Sequence, residues 1–162
     1  MSSVPIPRQV RRQLAPTVRI LAPLLDADAL AGVSNPNVGL VCRATVEAAR
    51  REITVPSAVY AAWDAQGWCR YVGSVHRQHA SAVADRLAEH HQHHRHGWAR
   101  RKDWVLLTVL PVRTDAPVGA VRAAEGWAAR LLVPLDGGAH PVIDLMLPPD
   151  AIAAAIATTH GT

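Results

Sequence analysis

Tyr60 and Tyr71 flank a turn-forming stretch containing Asp64, Gln66 and Gly67, so a hairpin there would bring two phenols onto one face. Downstream, Arg86 and His90 are four residues apart in a helical segment and so share a helix face. Glu125 interrupts the apolar stripe of a later helix. Phenols and imidazole can hold or pass a proton, a guanidinium can grip an anionic oxygen, and a carboxylate can hold a hard divalent cation. A second chemical feature is the run His90-His91-Gln92-His93-His94-Arg95-His96. His90 and His94, at i and i+4, have the spacing to share a metal ion, but no third ligand is identifiable, and the same residues also read as a polar helix end.

The elements that must place these groups follow from pattern. Val55, Val59, Tyr60 and Trp63 favour one strand, and Trp68, Tyr71 and Val72 favour the next. A symmetric turn, whether Ala65-Gln66 or Asp64 to Gly67, sets Trp63 opposite Trp68 and Tyr60 opposite Tyr71, with Cβ atoms about 4.5–5.5 Å apart. Ala58, Ala62, Cys69 and Gly73 then share the tyrosine face and leave a shallow polar spot. Ala80, Val83, Ala84 and Leu87 predict a helix from Ala80 to about His96 with Ser81 as N-cap. Asp103 to Val112 has the charge-bounded apolar run of a buried strand. A helix opens at Asp115-Ala116-Pro117 and continues to about Val133 on the stripe Val118, Val121, Glu125, Ala128 and Leu132. An acid on that stripe needs a partner, either Arg122 or Arg130 in a salt bridge or a bound cation.

Ala58-Val59-Tyr60 followed by Tyr71-Val72-Gly73, then Arg86 with His90 one turn later, then Glu125 on a late helix, resembles the GIY-YIG nuclease family. The first element departs from the family's Gly-Ile-Tyr. The loop before the helix is longer than in compact members and carries a competing Arg77. The family's closing Asn has only Asp136 as its nearest analogue. The resemblance covers about residues 53–141 and implies an α/β fold, a small three-stranded antiparallel sheet flanked by helices. It further implies metal-dependent DNA hydrolysis, with Glu125 holding Mg²⁺ or Mn²⁺, Tyr60 as general base with its pKa lowered by nearby positive charge, Tyr71 orienting water or phosphate, Arg86 stabilising the phosphate and His90 relaying a proton.

Residues 1–52 read as a helical extension. Val10 to Leu14 and Val18 to Leu25 are short pieces broken by Pro16 and Pro23, followed by helix-compatible stretches at Asp26 to Ala31 and Thr45 to Glu52. Residues 142–162 form a helical tail, Pro149 to Ala157, suited to packing or to contact with a second copy of the chain. Cys42 and Cys69 form no paired framework and are expected as reduced thiols. Arg11-Arg12 is interrupted too soon by Pro16, Arg19 and Pro23 to read as an export signal, and no apolar run approaches the roughly 18 residues of a membrane span. The expected compartment is the cytoplasm. The net charge of +4 comes almost wholly from arginine and permits a polyanionic partner.

DNA is the expected partner, contacted by Arg77, Arg95, Arg100, Arg101 and Lys102 beside Trp98. Two other readings stay open: an inactive nucleic-acid-binding module of the same fold, and a metal-handling regulator built on the histidine run. The nuclease reading requires Tyr60 and Tyr71 on one face of the sheet with their hydroxyls toward Arg86 and Glu125, because a one-residue slip in register would invert one of them.

Overall fold

The computed structural model describes residues 4–92, 103–136, 140–141 and 147–160. Four strands pair: β1 (Leu40–Arg43), β2 (Ser57–Trp63), β3 (Cys69–His76) and β4 (Leu106–Pro111). They form one sheet in the order β1-β4-β2-β3, and every neighbouring pair is antiparallel. The sheet therefore has four strands where three were expected. The additional strand, Leu-Val-Cys-Arg, lies inside the stretch read as a helical extension, and it covers the edge of β4 that a three-stranded sheet would leave open.

Every residue of β2 and of β4 is buried, so these central strands read as continuous apolar runs rather than alternating ones. Alternation instead decides which layer each side chain enters. Val59, Ala61 and Trp63 face α1 (Arg8–Leu21), α5 (Val118–Leu132) and α6 (Pro149–His160). Ala58, Tyr60 and Ala62 face α3 (Val46–Glu52) and α4 (Ala82–Gln92). The first of these cores takes Val10, Val72, Val121 and Ile156, so all three segments of the chain share it. A short α2 (Ala27–Ala31) is capped by the Asp26 carboxylate, which accepts from Ala29 N at 3.1 Å.

Pro16 does not break the first helix as its type predicts: α1 runs through it as one element. Val10, Leu14, Thr17, Val18 and Leu21 are buried along one face, and that burial outweighs the backbone bond that proline forfeits. Among the described residues, no helix is long and apolar enough to cross a membrane.

The hairpin register also differs from the symmetric expectation. Tyr60 pairs with Gly73, Ala62 with Tyr71 and Trp63 with Cys69, with an irregularity between Ala62 and Trp63. The tyrosines share a face as expected, but diagonally rather than directly opposed. Cys69 moves to the opposite core, and Trp68 lies outside the strand instead of facing Trp63. Arg70 is the extra residue, and buried acids explain why the strand bulges there. Its Nε and Nη2 donate to the two oxygens of Asp136, both at 2.9 Å, and Asp64 Oδ2 lies 3.6 Å from its Nη1. The Asp136 hydrogen bond holds the Arg70 guanidinium more firmly protonated than usual.

The diagonal register places Tyr60 directly over Gly73. A methyl group added at Gly73 would lie 2.6 Å from Tyr60 Oη and 2.8 Å from Tyr71 Cε1. Gly73→Ala is therefore expected to lower stability by about 1–3 kcal/mol, as overpacking does in a filled core. An unchanged urea midpoint for this variant would show that the phenols are not seated as described.

Candidate active site

β3 is an edge strand, so its free side is where the layers on the two sheet faces can meet. Tyr71 and Gly73 share the face of Tyr60, whereas Ser74 points the other way, toward α5. α4 delivers Arg86 from one layer, and α5 delivers Arg122 and Glu125 from the other. These residues line a cleft of about 450 Å³ along the β3 edge, together with Ser74, Arg77 and His140. Arg77, Arg86 and Arg122 outnumber Glu125 and the adjoining Glu89, which leaves the cleft net positive.

Of the sequence-predicted groups, Arg86 and Glu125 line the cleft, whereas Tyr60, Tyr71 and His90 pack against one another in the layer covered by α4. Tyr60 and His90 are 2% and 1% exposed, and Tyr60 Oη meets His90 Nε2 at 2.8 Å. Tyr71 is half-buried. Its ring stacks on Trp104 at 5.1 Å and meets the edge of His90 at 4.7 Å. Burial pushes the Tyr60 phenol well up, Tyr71 adds to that, and the neighbouring Arg86 offsets only part of it. Burial also raises Tyr71, again against the pull of Arg86. At Tyr60 burial outweighs the pull of Arg86, because the ring lies deep in the layer covered by α4.

Glu89 joins two of the cleft arginines. Its Oε1 accepts from Arg77 Nη2 at 2.7 Å and its Oε2 from Arg86 Nη1 at 2.8 Å. The Arg86 hydrogen bond, followed by the bond from Arg77, holds this carboxyl below its ordinary range. Arg77 and Arg86, alternatives in the sequence, therefore stand side by side in the cleft.

Glu125 accepts from Ser74 Oγ at 2.8 Å and lies 3.7 Å from His140 Nδ1. Those are its partners, rather than Arg122 or Arg130. Among the described residues, no cluster of three His, Cys, Asp or Glu side chains could cage a metal. One carboxylate opening onto a cleft fits Mg²⁺ or Mn²⁺, which take one or two protein carboxylates and complete their shell with water and phosphate oxygens. Asp136, the analogue of the family's closing Asn, is buried away from the cleft. It fastens Arg70 and accepts from Trp104 Nε1 at 3.1 Å, which fixes the indole under Tyr71.

Arg95, Arg100, Arg101, Lys102 and the histidines from His93 to His96 lie outside the described residues, so the proposed basic surface and the His90–His94 pairing do too. Sequence reasoning missed Ser74, Arg122 and His140. Alternation along β3 could have found Ser74, and the i, i+3 relation to Glu125 could have placed Arg122 on the cleft side; His140 carried no such signal. The chain matches no family model, no curated protein and no solved structure.

Burial of a phenol and two thiols couples folding to pH on the alkaline side. Burial raises Tyr60 and pushes Cys42 and Cys69 up to about 12, so in the folded state these groups stay protonated after their unfolded counterparts have ionised. Their contribution is complete below the unfolded values, about 8.5 for thiols and about 10 for phenol, and is lost as pH rises above them. The urea midpoint should fall steadily from about pH 9 to 11, and Tyr60→Phe should flatten the fall above about pH 10. A midpoint independent of pH over that interval would contradict the burial of these groups.

Proposed function

We propose that this chain is a divergent GIY-YIG-type endonuclease that hydrolyses DNA phosphodiester bonds at the β3 edge. The observation that carries the reading is the convergence on one cleft of Arg86 from α4 and Glu125 from α5, beside the half-buried Tyr71. The hairpin, helix, strand and helix follow one another in the succession that the resemblance expects, with β1 added beside the three strands it implies.

Arg86 and Arg77, locked together by Glu89, are placed to grip the non-bridging oxygens of the scissile phosphate and to hold the charge that builds there as water attacks phosphorus. Tyr71 orients the water or the phosphate through its hydroxyl. Ser74 and His140 fix the Glu125 carboxylate, which would hold Mg²⁺ or Mn²⁺. When bound, the divalent cation supplies positive charge against the phosphate and leaving oxygen and eases loss of a proton from water. Tyr60, buried and bonded to His90, acts as a positioning residue, setting His90 and the ring of Tyr71. That burial also favours a second reading, an inactive DNA-binding module, because it removes from the cleft the phenol that the family resemblance assigns as base.

Glu125→Gln separates the two. Gln preserves shape and can still accept from Ser74, so stability should change by less than about 1 kcal/mol and DNA binding should persist. Mg²⁺-dependent nicking of supercoiled plasmid should fall by at least about a hundredfold, the scale of losing one preorganised electrostatic group. Equal nicking by the folded variant and the parent would defeat the role of Glu125, and no nicking by either would favour the inactive module.

A further inference from the structure

Away from the cleft, the hairpin tip meets the start of α1 in a groove of about 660 Å³ lined by Arg8, Gln9, Arg12, Gln13 and Trp68. The tip is held rigidly. Asp64 Oδ1 accepts from Gln66 N at 3.0 Å and from Trp68 N at 2.9 Å. Gly67, at φ +85°, closes the turn, and its carbonyl accepts from Gln13 Nε2 at 3.1 Å. Trp68 follows directly and is 53% exposed, so a large ring is presented to solvent on a backbone that cannot easily withdraw it.

The charge of the groove has one sign. Arg8 and Arg12 are one turn apart on α1, no acid occupies the first turn, and neither arginine has an ion-pair partner among the described residues. Arg8, in the first turn, opposes the macrodipole, and the two cations repel each other. An anion from outside would relieve both effects. A flat exposed ring, two free guanidinium groups and two amide side chains are the means by which proteins hold an unpaired nucleotide: the base stacks, and the phosphates on either side meet the cations.

We propose that this groove is a second nucleic-acid contact, with an unpaired base stacked on Trp68 and the adjoining phosphates on Arg8 and Arg12. Trp68 and Ser74 are six positions apart, so the groove lies roughly 20 Å along β3 from the cleft, about six base-pair rises of B-form DNA. The inference shares with the endonuclease reading only the class of partner. It would direct cleavage toward DNA with a single-stranded segment near the cut.

The test uses the full chain and a fluorescein-labelled oligothymidylate of about 12 nucleotides, read by anisotropy. Trp68→Ala should weaken binding by at least about fivefold with an unchanged thermal midpoint, and Trp68→Phe should restore much of the loss because a ring is retained. Arg8→Gln with Arg12→Gln should reduce the slope of log affinity against log salt by about 1.4, the share of two phosphates on a single strand. Affinity within twofold of the parent for Trp68→Ala, or an unchanged slope for the arginine pair, would overturn the proposal. So would a change from dimer to monomer in Trp68→Ala with oligonucleotide binding intact, which would assign the groove to a second copy of the chain. Plasmid nicking on the same preparations keeps the two readings apart. Weakened binding in a chain that never nicks upholds the groove and removes the nuclease, whereas nicking with unaltered binding does the reverse.

Discussion

The missing side chain at Gly73 is the constraint on which the site depends. Because nothing projects from β3 at that position, the Tyr60 ring can lie across the strand, and its hydroxyl reaches His90 on α4. That bond ties the helix to the sheet, with Arg86 one turn before His90, so the guanidinium arrives at the β3 edge rather than over the middle of the sheet. Tyr71 is then caught between His90 and Trp104.

A strand edge left unpaired is ordinarily a liability, since its backbone groups can recruit another strand. Here the edge of β3 is flanked by side chains from both layers, and the charged ones among them compose the cleft. The same edge is shaped at its other end by the bulge at Arg70, whose guanidinium is held by Asp64 and Asp136. Asp136 also fixes Trp104, so a buried ionic cluster outside the cleft orients the indole that supports Tyr71.

What could be read in advance was what depends on local pattern. The common face of Tyr60 and Tyr71, the helix carrying Arg86 and His90, the strand at Leu106–Pro111 and the helix carrying Glu125 all follow from period and turn chemistry. The exact register did not, because the bulge is selected by Asp136, which lies 66 residues beyond Arg70. β1 escaped notice because four residues between a turn and a helix carry too little alternation to declare a strand. Pro16 misled because a propensity was weighed without the burial that overrides it. The burial of Tyr60 was out of reach for a related reason: it depends on which helices cover the phenol, and no local window holds that information.

The central claim is that the carboxylate at the β3 edge holds a divalent cation against a DNA phosphate. Crystals of the chain grown with Mn²⁺ and a short DNA duplex would test it through anomalous scattering. The account predicts a peak about 2 Å from a Glu125 carboxylate oxygen, within reach of a phosphate oxygen held by Arg86, and its loss in Glu125→Gln crystals. Mn²⁺ bound only elsewhere in the chain, or a peak at the cleft that persists in Glu125→Gln, would contradict it.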